Sequence, residues 1–402
     1  MTKPKLAING GQKLRRTPLP YRRLFDEDEL NQIISVFKNS YKEKQDFGYQ
    51  GKYEKLYTEK FCEFQGGGYA DGVSSGTAGI YIALNALGLK KGSDVIISPV
   101  TDPGGVSPVV LSGMNPVVAD SDVDSFNVGP DQFEAALTSD TNAAIITHLG
   151  GNPVDIDPIL EIASDKDIKI IEDCSQAHGA LYKKKRVGCF GDIAVFSTMY
   201  SKNHSTGGCG GIVFTQNKDY YWLARSFADR GKPFNDPNFN QKDPSEFLFP
   251  AMNFNLDELS CAIGINTLEK LQHTIDRRID IVKKINKALK QTKCVDPIPI
   301  PEFAVPSPFF LTVKVDINNL KVTKKEFAQA IAAEGISINP DYRYVVAEWK
   351  WMKKYFKKNT STPNAQKFRN ETFNILFNER LEDNDIGDII KCIIKVEEVL
   401  TN

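Results

Sequence analysis

The 402-residue sequence predicts an α/β protein: a large, doubly wound, mainly parallel sheet with a smaller C-terminal α+β domain. Three observations lead there. Between about residue 70 and residue 215, short β-rich runs alternate with helical periods. Several of those runs are continuously apolar, as expected of strands buried on both faces of a parallel sheet. After the proline-rich stretch Pro297–Pro308 the pattern changes to short strands and amphipathic helices in a different order.

Residues 1–30 read as an arm that packs with the smaller domain, 31–290 as the large domain and 291–402 as the small one. The strands expected in the large domain are Asp94–Ser98, Pro116–Asp120, Ala143–His148, Ile168–Asp173, Asp192–Ser197 and Gly211–Thr215. Helices lie between them. One carries Ile80, Ala83, Leu84 and Leu87 at helical spacing, and another follows Gly129-Pro130 through Leu137. Leu256–Leu289 reads as a long helix with Leu259, Ile263, Ile265, Leu268 and Leu271 apolar. Beyond it come a strand at Phe309–Val315, a helix at Lys324–Ala333, a strand at Gly335–Asn339 and a helix at Asp385–Leu400.

Composition narrows the function classes. Hydrophobic residues make up 41%, with 24 Phe and 14 Tyr, which suits a large core and excludes a disordered chain. Fifty Lys and Arg against fifty-one Asp and Glu leave a net charge of −1, so no basic field attracts nucleic acid or an anionic membrane. No apolar run reaches the ~20 residues of a membrane span, and the basic N-terminus lacks the apolar centre of a secretory signal. A cytoplasmic location is expected. The seven cysteines are scattered and form no CxxC pair, and the four histidines lack metal-site spacing. His204 and Cys209 alone are too few ligands, so no metal is expected.

Three places carry chemistry. Ser74-Ser75-Gly76-Thr77-Ala78 precedes a helical period, where free backbone N–H groups and a close-approach glycine can cradle a phosphate. An ordinary cap by Ser75 or Thr77 explains the same residues. Asp173 ends an apolar run, at the sheet edge where ligands of open α/β sheets bind, although Asp also caps helices. Lys202 stands between a buried strand and the glycine run 207–211; burial there would free its amine as a nucleophile, whereas a surface lysine would stay charged. In that order, cradle, aspartate and lysine are what pyridoxal 5′-phosphate binding requires: a phosphate anchor, a partner for the ring nitrogen and a covalent attachment.

The chain resembles the sugar aminotransferases of the DegT/StrS family, within the aspartate-aminotransferase-type fold (PLP-dependent transferase fold type I). The matching segments are SSGTAGIYIALNALGL (74–89), IIEDCSQAHGALYKKKRVGCFGDIAVFS (170–197), the Lys202 loop with TGGCGGIVF (206–214), and MNFNLDELSCAIGINTLEKL (252–271). The resemblance implies that Lys202 forms the imine and acts as general acid/base, that Asp173 partners the ring nitrogen, and that Gln176 lies near the ring. It also implies that Gly76, Thr77 and Ser197 hold the phosphate while Asn253 reaches it from the neighbouring subunit of a homodimer with shared active sites. The cofactor would alternate with pyridoxamine 5′-phosphate.

Three positions depart from the family pattern. Asp102-Pro103 follows Pro99-Val100-Thr101 where an aromatic usually stacks on the cofactor, Thr198-Met199 replaces Phe-His after Ser197, and Gly208 replaces a glutamate. LAINGGQKLRRTPLP (6–20), DRGKPF (229–234) and NPDYRYVVAEWKW (339–351) are similar to the branch acting on keto-cyclitols and phosphorylated keto-sugars. On that reading Arg230 and Arg343 become candidates for gripping a phosphate or carboxylate, against ordinary surface ion pairing. Lys183–Arg186 reads as a solvated hairpin turn. The reaction implied moves an amino group from an amino acid, glutamate or glutamine, to a keto-sugar-like acceptor in aminosugar or polysaccharide biosynthesis. The rivals are transamination of a small phosphorylated ketone, a pyridoxamine-dependent sugar dehydratase, and a cofactor-binding protein without turnover.

Overall fold

The computed structural model describes residues 4–357 and 360–402. An arm leads into α1 (Glu27–Glu43) and α2 (Lys52–Gln65), followed by β1 (Tyr69–Val73), α3 (Gly76–Ala86), β2 (Asp94–Ile97), α4 (Ser107–Leu111) and β3 (Asn115–Val118). Next come α5 (Pro130–Ala136), β4 (Thr141–Thr147), α6 (Ile156–Asp165), β5 (Lys169–Asp173), a hairpin of β6 (Leu181–Tyr182) and β7 (Lys185–Arg186), β8 (Ile193–Ser197), β9 (Gly211–Thr215) and α7 (Lys218–Ala228). The long helix α8 (Glu258–Leu289) precedes β10 (Val295–Pro297), β11 (Ala304–Val305), β12 (Leu311–Val315), α9 (Lys324–Ala333), β13 (Ile338–Asn339), α10 (Pro363–Glu371), β14 (Thr372–Ile375) and α11 (Asp383–Leu400).

The large sheet runs β1-β9-β8-β5-β4-β2-β3. Pairing is parallel from β8 through β3, while β9 is antiparallel to both β8 and β1. The reason is local. A parallel return needs a crossover, usually a helix, and residues 198–210 form only turns, so the chain folds straight back. That segment, which holds Lys202, is therefore pinned at the C-terminal edge of the parallel strands. Helices cover both faces, so β2, β8 and β9 are nearly or wholly buried along their length.

The doubly wound, mainly parallel class expected from the sequence is the fold observed. Strand β1 (YADGV) escaped the sequence reading because Asp71 and Gly72 are poor strand formers; its pairing with β9 overrides that preference. The strand expected from Phe309 begins at Leu311, because the Phe309 N–H is tied to the Gly150 carbonyl instead of the small sheet. The strand expected from Gly335 begins at Ile338. Lys183 and Lys184 make the hairpin turn, both with positive φ (45° and 71°), while Lys185 and Arg186 belong to the strand.

The small sheet, β10-β12-β14-β13, is antiparallel. Helix α8 serves both cores: Cys261, Ile265, Leu268, Leu271 and Ile275 face the large one, and Ile281, Val282, Ile285 and Leu289 the small one. Leu6 of the arm is buried in the small core, with Leu14 against it. Both arm backbones there donate to the Glu334 carboxylate, from Ala7 (2.8 Å) and Leu14 (3.0 Å), and Lys395 pairs with it at 2.7 Å. No described helix is long and apolar enough to cross a membrane.

Candidate active site

Four elements meet at the C-terminal edge of the parallel strands. Ser75 is the extended N-cap of α3, and its Oγ accepts from the Ala78 N–H at 3.0 Å, which leaves the N–H groups of Gly76 and Thr77 without helical partners. Gly76 packs on the end of β8: a Cβ there would stand 2.8 Å from Ser197 Cβ and 3.3 Å from Ser175 Oγ. Gly211, opening β9, presses on the same backbone, where a Cβ would lie 2.6 Å from the Ser75 carbonyl carbon. Close approach therefore requires glycine at both positions. Thr77 is exposed and Ser197 half-buried, so the cradle opens outward.

Asp173 ends β5 and is only 5% exposed. Its Oδ1 accepts from the Ser175 N–H at 3.1 Å, and its Oδ2 would stand 3.4 Å from a Cβ on Gly105. Gln176 follows in the same loop, and its Oε1 accepts from the Gly150 N–H at 2.8 Å.

Lys202 is buried, and among the described residues it forms no ion pair. Burial holds its ammonium below the ordinary lysine value, against the opposing pull of the Asp173 and Asp102 carboxylates. The ring of Phe309 lies 4.7 Å from Nζ. A buried amine with no paired counter-ion favours its neutral, nucleophilic form.

Of the polar groups behind this edge, Glu172, His148 and His204 are hydrogen-bonded within the protein, whereas both ring nitrogens of the buried His178 have no hydrogen-bond partner among the described residues. Glu172 accepts from the backbone N–H groups of Gly188, Phe190 and Gly191 at 2.7–2.8 Å. It also pairs with His148 Nε2 at 3.2 Å. His148 Nδ1 accepts from the Val154 N–H at 3.0 Å, so Nε2 carries the proton. Cys174 adjoins the pair, but the Glu172 oxygens already accept four donors, the pattern of a hydrogen-bonded strut tying β5 to the 188–191 turn. His204 hydrogen-bonds Tyr57 Oη (2.6 Å) and Thr267 Oγ1 (3.2 Å), and burial depresses its pKa to about 3. Cys209 is exposed.

Among the described residues, the other sequence-selected residues make no hydrogen bond or ion pair with those at this edge. Asn253 is exposed, and its Oδ1 accepts from the backbone and side chain of Asn255 at 3.1 and 2.8 Å. Arg230 is bound to Asp229 (2.7 Å) and Tyr49 Oη (2.8 Å). Arg343 is exposed and paired with Asp341 at 2.9 Å. Within one chain, then, Gly76, Thr77, Asp173, Gln176, Ser197 and Lys202 share one edge, and Asn253, Arg230 and Arg343 do not join it. Asp102 accepts from the Gly104 N–H (2.9 Å) and caps a short turn; a Cβ on Gly104 would meet Thr77 Oγ1 at 2.3 Å. The sequence resemblance implies an aromatic at this position.

Sequence reasoning missed Phe309, Arg22 and Tyr342. Each reaches the site from a distant segment, and nothing in the local pattern marks it. Tyr342 is buried against Phe310 and Phe126, and burial raises its phenol well above the ordinary value despite the opposing influence of Gln176.

Comparison with known proteins bears on the fold and the family. The Bacillus subtilis spore coat polysaccharide biosynthesis protein SpsC is 26% identical over 380 residues, covering 93% of this chain and 96% of its own. Escherichia coli O157:H7 GDP-perosamine synthase is 33% identical over 245 residues, 60% of this chain and 65% of its own. Among solved structures, E. coli GDP-4-keto-6-deoxy-D-mannose-3-dehydratase with bound hydrated PLP superposes with a TM-score of 0.83 at 24% identity. That match covers 94% of this chain and all of that one, 100%. Residues 27–394 match a single family along their whole length, and the chain belongs to it: the DegT/DnrJ/EryC1/StrS aminotransferase family.

Proposed function

We propose that this protein is a PLP-dependent aminotransferase that moves an amino group from glutamate or glutamine to the keto group of a sugar or sugar-like acceptor. The observation that carries the proposal is the buried, unpaired amine of Lys202, near Asp173 at the sheet edge that also carries the free N–H groups at the start of α3. The residues present fit the cofactor. A helix N-terminus backed by Gly76, Gly211 and Ser197 suits a phosphate, Asp173 Oδ2 suits a protonated ring nitrogen, and Lys202 suits covalent attachment. Bound there, the cofactor would act as the electron sink for the bonds broken at the donor carbon. Lys202 Nζ, when free, is the base that takes the donor's α-proton and the acid that returns it on the acceptor side.

In this reading Asn253 belongs to the partner's site in a homodimer. Its exposure supports that, as does an apolar stripe on α1, where Leu30 (56% exposed), Ile34 (40%), Phe37 (41%, edge-on to Phe47) and Tyr41 (77%) recur on one partly exposed face. Arg230 and Arg343, both exposed, are available to an acceptor phosphate only if their present partners yield.

The test is a half-reaction. Cofactor-loaded protein mixed with glutamate or glutamine should release the matching keto acid once per site, and added keto-sugar acceptor should then take up the amine. A second reading, a sugar dehydratase, is favoured by the fold shared with the E. coli dehydratase, and Lys202 speaks for the transaminase. Loss of water from a keto-sugar with no donor consumed would decide for the dehydratase.

A further inference from the structure

One carboxylate, that of Glu379, joins two arginines that grip the turn carrying Lys202 and the segment facing its amine. Arg22, on the N-terminal arm, donates through Nη1 to the Lys202 carbonyl (2.6 Å) and through Nη2 to that of Asn203 (3.1 Å). Its Nε meets one oxygen of Glu379 at 3.0 Å. The other oxygen of Glu379 meets Nε of Arg278, on α8, also at 3.0 Å. Arg278 is 2% exposed and donates through Nη1 to the carbonyls of Pro308 (3.1 Å) and Phe309 (3.3 Å). The Phe309 ring then faces Lys202 Nζ at 4.7 Å. Asn203 Nδ2 stitches the same two segments through Ser307 Oγ at 3.0 Å.

The contacts form a closed circuit: the lysine's backbone, the arm, the segment after β14, the long helix, the inter-sheet segment, and the lysine's amine. A planar guanidinium fork is suited to gripping two adjacent carbonyls at once, and the carboxylate fixes the fork's orientation. Burial lowers Arg278 to about 10 against the pull of Glu379. This strength of desolvation makes Glu379 the element on which both arginines depend.

We infer that Arg22, oriented by Glu379, is a positioning residue for Lys202: it fixes the two carbonyls at the turn so that the amine stays seated in its dry pocket only while the arm and the small sheet are docked. The inference rests on the proposed role of Lys202 as the cofactor-binding lysine. The groups facing Nζ are Asp173 from the end of β5, Asp102 from the segment after β2, the Phe309 ring and the buried His178 behind. None belongs to the arm, so changing Arg22 alters the seat without removing a neighbour of the amine.

The test uses three variants of the full chain: Arg22→Met, which keeps the apolar stem and loses the fork, Arg22→Lys, which restores a cation without the fork, and Glu379→Gln, which keeps shape and loses charge. Acetic anhydride labelling across pH, with Lys202 acetylation quantified by mass spectrometry before cofactor is added, gives the titration midpoint of the amine directly. The expected result is a midpoint about one unit higher in Arg22→Met, as water reaches the amine. A smaller rise is expected in Glu379→Gln, with partial return in Arg22→Lys. In the loaded enzyme kcat should fall about tenfold with the donor KM little changed. A cooperatively melting Arg22→Met with the wild-type midpoint and kcat would overturn the inference. Should that variant not melt cooperatively, Glu379→Gln is judged by the same two readings. Failure of the underlying role looks different: in the unaltered protein, reductive trapping of the cofactor would then mark a residue other than Lys202.

Discussion

In the proposed mechanism Asp173 and Lys202 do different work because of where each sits. Asp173, at the end of a central strand, is held by one backbone N–H with its second oxygen turned toward the site, so it can neutralise a cation there. Replacing it by Asn keeps the shape and removes the charge. Breaking one member of a buried pair costs roughly 3–5 kcal/mol, so kcat of Asp173→Asn should fall by about two to three and a half decades, as steady-state kinetics would measure. An unchanged kcat would place the charge partner elsewhere. These two residues were legible in the sequence because a carboxylate ending an apolar run and a lysine before a glycine run are visible in local pattern. Arg22, Phe309 and Glu379 were not, since the contacts that tie Arg22 and Phe309 to Lys202, and Glu379 to Arg22, each join segments more than 100 residues apart and depend on how two sheets dock.

The elements divide the same way. Runs such as DVII, KIIED and GIVFT appear as strands because they are apolar and bounded by turns. In contrast, α1 and α2 went unread although their apolar residues recur at helical spacing, Leu30, Ile34, Phe37 and Tyr41 in α1 and Tyr53, Tyr57 and Phe61 in α2, and β1 carries Asp and Gly. The α3 N-terminus was readable as a cap or a cradle, and only the packing of Gly76 on Ser197 favours the cradle. Gly76→Ala would drive a Cβ to 2.8 Å from Ser197 Cβ. Overpacking of this kind costs about 1–3 kcal/mol, so cofactor affinity, titrated into the stripped chain, should weaken about tenfold or more. Wild-type affinity would show that the phosphate is bound elsewhere.

On the scale of the whole molecule, acid groups buried away from the site set the response to pH. Glu54 is 4% exposed beside Asp71 and Glu258, and burial, reinforced by the Asp71 charge, raises its pKa to about 8 from 4.5. Between those values the folded chain keeps a proton that the unfolded chain has lost, so stability falls as pH rises from about 4.5 to 8. Glu172 and Glu379 are held below the usual range and contribute stability that is lost on acidification. Melting temperature should therefore drop between pH 6 and pH 8.5, and Glu54→Gln should flatten that drop; an equal drop in the variant would mean Glu54 is ionised throughout.

Assembly makes its own prediction. Lys202→Ala and Asn253→Asp should each be inactive alone. Mixed and allowed to exchange subunits, they should regain about a quarter of wild-type activity, because half the dimers would carry one intact site of two. No recovery despite exchange would place Asn253 in its own chain's site or outside any site.

The central claim is a bond between the cofactor and one lysine. Borohydride reduction of the loaded protein, followed by proteolysis and mass spectrometry, locates that bond. The expected product is a single pyridoxyl group on the peptide containing Lys202. A pyridoxyl group on any other lysine, or none on a protein saturated with cofactor, would contradict the account.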